Sequence, residues 1–283
     1  MAENAENKED ASVATKAAET YYDSSDADEF YFHVWGGEDI HVGLYEDGLS
    51  IKEASERTVG ALMEELGELT ADDHVLDLGA GYGGAARRLN RRFGCKVTCL
   101  NVSETQNARN REMNEAGGYD GVDVVYGNFE QLPFPDETFT VAWSQDAFLH
   151  SGRRMKVIGE VARVLKPGGR LVFTDPMQNP NAPADIMAPI LSRIHLSDLA
   201  SFDFYREAAK EHGLEVVAMH DLSPQLPRHY GQVRKDLESR RDEIEKLASK
   251  AYVERMLEGL GHWVNAGDAG HLAWGIMVLR KPE

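Results

Sequence analysis

Apolar residues along the chain change their spacing in blocks, and each block predicts an element. The run IKEASERTVGALMEEL repeats near the helical period; before it come a helix-like start at Lys16 and an aromatic stretch, FYFHVWGGEDIHVGLY, with no buried strand ahead of about Leu69. Beyond that point short apolar runs alternate with amphipathic ones: HVLDLG, GYGGAARRLNRRF, KVTCLNV, SETQNARNREMNEAG, VDVVYG, FTVAWSQD, RRMKVIGEVARVLK and RLVFTDP. Such alternation predicts an α/β fold with a mostly parallel, doubly wound sheet. FDFYREAAKEHG then predicts a helix, LEVVAMHDLS a strand, about Arg228 to Leu260 one long charged helix, and HLAWGIMVLRK a last strand, expected antiparallel. QNPNAPADIMAPILSRIHLSDL, Pro- and Asn-rich and then apolar, predicts an insertion at the carboxyl edge of the sheet, where open α/β folds bind ligands. The expected division is a disordered acidic tail over 1–14, a helical and aromatic cap over 15–69, and the sheet domain over 70–283 with lid insertions at about 178–202 and 222–262.

Composition narrows the function. The 283 residues suffice for one large core with a cap. No apolar run approaches the ~18 residues of a membrane span, and the N-terminus lacks a basic stretch followed by an apolar one, so no membrane association and a cytoplasmic location are expected. A net charge of −18 repels nucleic acid, whose binding needs a Lys/Arg footprint. Lysine is scarce, 11 against 19 arginines, and an acidic, lysine-poor surface suits a salt-rich cytoplasm. Cys95 and Cys99 fall on one strand face and read as core residues, so neither a disulfide nor a metal site is expected. What remains is small-molecule work by a monomer or homodimer.

VLDLGAGYGG sets Gly79, Gly81 and Gly84 in the spacing G-x-G-x-x-G between a strand and a helix, which by itself fits a dinucleotide fold equally well. Asp77, two residues before the first glycine, would repel a pyrophosphate and could hold an ammonium instead. About twenty residues on, where a ribose-binding acid is expected, stands Asn101, an amide that can still bond hydroxyls. Asn128 and Phe129, after the third strand, are placed to meet an adenine edge and face.

DLGAGYGG, GNFEQLPFPDETF and VLKPGGRLVF, in that order, resemble the signature of class I S-adenosylmethionine-dependent methyltransferases. The resemblance implies a Rossmann-like seven-stranded sheet with a reversed last strand, S-adenosylmethionine (product S-adenosylhomocysteine) across the first loop, and cofactor contacts from Asp77, Gly79, Gly81, Asn101, Val102, Asn128, Phe129 and Gln145. It also places the end of the fourth strand, WSQDAFLHS, and with it His150, near the transferred methyl. SQDAFLH is similar to the string that phosphobase (phosphoethanolamine) methyltransferases carry there, whose histidine pairs with an N-terminal tyrosine; the implied partner here is Tyr22, with Tyr21 the alternative. Asp146, four residues before His150, is within helical reach to orient the imidazole.

From about Lys16 to Lys281 the chain resembles the sarcosine/dimethylglycine N-methyltransferases of glycine-betaine synthesis, through FYFHVWGGEDIHVGLY, WSQDAFLHS, FTDPM, HYG and LAWGI. That implies a small amine bearing a carboxylate. The aromatic stretch then reads as a cap that excludes water and, through Tyr31 and Trp35, offers faces to a methylated ammonium; the alternative is a core between cap helices. Met177 is expected to line the acceptor pocket. A carboxylate calls for an arginine, with Arg193 the first choice and Arg206, Arg228 and Arg234 the others. Competing functions are a phosphobase methyltransferase, which would need clustered cations in the lid, a non-catalytic cofactor-binding protein, and a nicotinamide dehydrogenase, disfavoured by Asp77 and Asn101.

Overall fold

The computed structural model describes residues 12–283 apart from His195 and the Arg193 side chain. The strands are β1 (His74–Leu78), β2 (Lys96–Asn101), β3 (Val122–Tyr126), β4 (Phe139–Gln145), β5 (Leu165–Gln178), β6 (Glu215–Asp221) and β7 (Leu272–Arg280). They form one sheet in the order β3-β2-β1-β4-β5-β7-β6. β1 to β5 pair in parallel, and β7 inserts antiparallel between β5 and β6. β1 and β4 are buried along almost their whole length, as continuous apolar runs in a sheet covered on both faces require. Chain order reverses beside β1, so the carboxyl ends of β1 and β4, Leu78 and Gln145, flank the crevice where such sheets bind ligands.

The cap begins at α1 (Val13–Tyr22), two residues ahead of the expected boundary, because Ser12 caps it by accepting the Thr15 amide. Residues 1–11, most of the expected tail, lie outside the described residues. α2 (Ser25–Phe30) runs into a π-helical turn over Tyr31–Trp35. A strap over 36–50 follows, then α3 (Ile51–Leu66), opened by a capping box between Ser50 and Glu53. α4 (Gly84–Phe93), α5 (Glu104–Gly117) and α6 (Arg154–Val164) connect the parallel strands. α7 (Ala184–Arg193) and α8 (Phe202–Glu211) follow β5.

The charged segment expected as one helix is three: α9 (Gln225–Ser239), a turn of helix α10 (Arg241–Ile244), and α11 (Lys250–Asp268). Ser249 makes the break. Its hydroxyl caps α11 through the Tyr252 amide, and both its backbone and side chain bond Asp26 of the cap, at 2.8 and 2.6 Å. α9 and α11 then pack on the cap, with Tyr230 stacked on Trp263 at 4.7 Å. Tyr31, Trp35, Leu226, Tyr230, Tyr252 and Trp274 belong to one apolar core, so cap and lid close the crevice as one body. No helix among the described residues is long and apolar enough to cross a membrane.

Candidate functional site

The glycine loop leaves β1 in a conformation that side chains resist. Gly79 has φ +76°, its amide donates to Leu100 at 2.8 Å, and a Cβ there would overlap that of Ala147. A Cβ at Gly84 would overlap Asp39, so the strap rests directly on the loop. Gly81 (φ +53°) faces Ile40, whose methyl lies 3.4 Å from where a Cβ would stand.

Above this loop is a cleft with about 530 Å³ of empty space, walled by Gly79, Gly81, Asn101, Val102, Phe129, Gln145, Tyr22 and His150. Asp77 opens instead on a small adjoining pocket that shares Gly79, Gly81, Ile40 and Gln145 with the cleft. Ile40 of the strap therefore stands between two halves of one crevice. Asn128 is not on the wall; its side-chain oxygen accepts the Glu130 amide at 2.9 Å behind Phe129. Asn101 is on the wall, with its amide donating to Gln106 at 2.9 Å. Thr15, Ala18, Ile40 and Gln106 line the cleft without any motif to mark them.

Tyr22 and His150, 128 residues apart in sequence, share a hydrogen bond from Oη to Nε2 of 3.1 Å. Both of their elements are fastened. His150 ends a 3₁₀ turn, Phe148–His150, whose Leu149 amide donates to Asp175 at 2.9 Å while Arg154 donates to the Leu149 and Ser151 carbonyls. Glu130, fully buried, accepts from Ser151 at 2.7 Å and, on α1, from the Ser12 hydroxyl and amide and the Thr15 hydroxyl at 2.7, 2.9 and 3.0 Å. One carboxylate thus joins the helix carrying Tyr22 to the turn carrying His150. Burial works against its charge, but those hydrogen bonds outweigh it and hold the pKa below the usual range. Tyr21 points elsewhere, its Oη bonded to Tyr252 at 2.8 Å.

Other expected residues sit differently. Asp146 does not bond His150. It stands at φ +51°, and its carboxylate accepts from the Val42 amide (2.6 Å), Thr174 (2.7 Å) and Trp274 (2.7 Å), tying the strap to β5 and β7. Helical spacing fails here because the positive φ turns the chain before the 3₁₀ turn begins. Met177 is fully buried in the core that also holds Leu171, Phe173 and Tyr205, because strand alternation sends it with them to the face away from the cap. Tyr31 and Trp35 are buried in the cap core; Tyr31 packs against Tyr22 at 5.3 Å and Trp35 against Tyr31 at 5.2 Å. The Arg193 side chain lies outside the described residues. Arg206, Arg228 and Arg234 pair with Asp203, Asp47 and Glu238 and do not line the cleft.

Carboxylates dominate the electrostatics. Burial drives the Asp77 pKa up to about 7, with the Asp39 charge adding and His41 opposing. Asp146 is raised by burial against the pull of His41 and its donors. Burial also opposes charge on His41, yet Asp39 and Asp146 raise its pKa; burial opposes charge on Asp39 too, but His41 and Arg88 hold its pKa low. Gln145 bonds Trp143 through its oxygen at 3.0 Å, and its buried Nε2 has no hydrogen-bond partner among the described residues.

A seven-stranded sheet with an inserted antiparallel strand, a glycine loop at its switch point and a carboxylate beneath that loop define a class I methyltransferase, and a family model described as a methyltransferase domain matches residues 76–173. A sarcosine/dimethylglycine N-methyltransferase of Halorhodospira halochloris is 48% identical over 270 residues, 95% of this chain and 97% of that one. A solved structure from Galdieria sulphuraria, a provisional sarcosine dimethylglycine methyltransferase, is 47% identical with a TM-score of 0.87, covering 93% of this chain and 99% of that one. At 19% identity a mycolic acid cyclopropane synthase solved with S-adenosylhomocysteine shares the fold alone, with a TM-score of 0.86 over 96% of this chain and 100% of that one. The chain belongs to the sarcosine/dimethylglycine N-methyltransferase family.

Proposed function

We propose that this chain transfers methyl groups from S-adenosylmethionine to the amine of sarcosine and of N,N-dimethylglycine, ending at glycine betaine. The observation that carries the reading is the Tyr22–His150 hydrogen bond of 3.1 Å, set in the wall of a cleft over the glycine loop in a chain of this family. The loop residues fit the donor. Asp77, buried and pushed up to about 7, is complemented by an ammonium, and the unpartnered Gln145 Nε2 by a carboxylate, the two ends of an amino-acid ligand. Asn101 and Val102 would meet the ribose, with the Asn101 oxygen as acceptor, and Phe129 would face the adenine; Asn128 supports that wall from behind. When bound, S-adenosylmethionine supplies a sulfonium methyl carbon ready for in-line displacement.

The chain's own residues prepare the acceptor. An amine of this kind, with a pKa of ~10, is mostly protonated at neutral pH. Its proton must leave before the nitrogen lone pair can form the N–C bond as the S–C bond breaks, and dimethylglycine has a single N–H to lose. Tyr22 and His150 provide the acceptor for that proton and fix the nitrogen in line. Tyr31, in ring contact with Tyr22, offers an aromatic face to the methylated cation, and the cap excludes water. His150→Ala and Tyr22→Phe should each lower kcat about 100-fold or more with little change in S-adenosylhomocysteine affinity. Tyr21→Phe should keep near-normal turnover. Normal turnover in the first two variants, or collapse of cofactor affinity in place of turnover, would make the pair structural.

A further inference from the structure

No arginine with a described side chain lines the cleft, yet a carboxylate-bearing acceptor needs donors. Buried donors without partners exist nearby. The His229 ring is held by the Gly43 amide, which donates to Nδ1 at 3.1 Å, with Tyr45 Oη 3.0 Å from the same atom. Because Nδ1 accepts, the neutral ring carries its hydrogen on Nε2. Burial, aided by His41, pushes the His229 pKa down to about 3, which keeps the ring neutral. That Nε2–H is buried and has no hydrogen-bond partner among the described residues, and the same holds for Trp35 Nε1–H. The two rings are in contact, centroids 5.2 Å apart and tilted by 58°. Two unmet N–H donors on rings in contact within a core are a costly arrangement unless a bound acceptor meets them.

Hydrogen bonds of the strap and ring contacts of the cap connect both rings to residues of the cleft wall. Successive amides of the strap donate to Asp146 (Val42, 2.6 Å) and to His229 (Gly43, 3.1 Å), so the strap links His229 to a residue of the cleft wall. Trp35 joins the dyad through Tyr31 and Tyr22, in ring contacts of 5.2 and 5.3 Å.

We propose that His229 Nε2–H and Trp35 Nε1–H are the donors that hold the acceptor's carboxylate, one to each oxygen, in place of an arginine. This rests on the substrate reading above. Neutral donors set in rigid aromatic packing can recognise a carboxylate by geometry, as oxyanion-binding amides do.

Trp35→Phe keeps the ring and removes the N–H. Its KM for dimethylglycine should rise about tenfold or more, the loss of one hydrogen bond to a charged group, while kcat and S-adenosylhomocysteine affinity stay within about twofold of wild type. Acetate, a carboxylate without an amine, should inhibit competitively against dimethylglycine, and its inhibition constant should rise by the same factor. His229→Gln, with an amide able to donate from a similar reach, should lose less than His229→Leu. If the wild type methylates dimethylglycine but Trp35→Phe leaves both the KM and the acetate constant unchanged, the carboxylate site is wrong and the function stands. If the wild type methylates neither sarcosine nor dimethylglycine, both fall.

Discussion

Asp77→Asn should stabilise the unliganded protein and weaken its hold on the cofactor, a combination that a structural aspartate would not give. The carboxyl is buried, its pKa lifted from 3.8 to about 7 by desolvation first and by Asp39 second. Because the folded value lies above the unfolded one, the stability it contributes is complete below about 3.8 and is lost as the pH rises through about 7. At about 1.4 kcal/mol per unit, the ionised form at pH 8 costs the fold about 4 kcal/mol. With an unfolding entropy of about 2.1 cal/mol/K per residue, removing that cost should raise the melting temperature by roughly 7 °C at pH 8 and by far less at pH 4. Scanning calorimetry of wild type and variant at both pH values measures it. The S-adenosylhomocysteine ammonium should offset the same charge in the wild type, so titration should show about tenfold or more weaker binding by the variant. A variant less stable than wild type at pH 8, or one that binds S-adenosylhomocysteine normally, would refute the assignment of Asp77 to an ammonium.

Glu130→Gln can keep an oxygen for the Ser12 amide only by turning its NH₂ group to the Ser12, Thr15 and Ser151 hydroxyls, which must then accept where they now donate, and should cost about 1.5 to 3 kcal/mol, the worth of a hydrogen bond to a charged group. Turnover should fall more than cofactor affinity, and proteolysis near α1 should speed up; equal rates in both proteins would show that the clamp does not hold the dyad. The wild-type contribution of this carboxylate, its pKa lowered in the fold, should be present above about pH 4.5 and fade as acid takes the pH through the folded value, a dependence that the Gln variant lacks. Gly79→Ala should lower S-adenosylhomocysteine affinity by about tenfold or more, since the new methyl meets Ala147 at a positive φ, and an unchanged affinity by calorimetry would show that the loop can shift freely.

What could be read in advance was what local chemistry determines. Strands and connecting helices follow from apolar spacing, and the glycine loop from a turn that only glycine makes easily. The pairing of Tyr22 with His150 spans 128 residues and came from a resemblance, since spacing says nothing over that range. Asp146 reads as a helical neighbour of His150 because its left-handed φ is invisible in WSQDAFLHS. Met177 reads as a pocket residue from its place after the fifth strand, but strand alternation sends it to the opposite face. The break at Ser249 was legible, a serine ahead of a helical run, but its partner Asp26 lies 223 residues away. Charge in the sequence points to an arginine for the carboxylate, whereas the buried donors without partners, on Trp35 and His229, are neutral and show only once the chain is folded.

The proposed activity is methylation of the nitrogen of small carboxylate-bearing amines. Incubation of the purified protein with methyl-labelled S-adenosylmethionine and, separately, glycine, sarcosine, dimethylglycine and phosphoethanolamine tests it directly, with products resolved by mass. Label should pass from sarcosine to dimethylglycine to betaine, and from dimethylglycine to betaine in one step. Label on phosphoethanolamine but on neither sarcosine nor dimethylglycine, or on none of the four, would contradict the account.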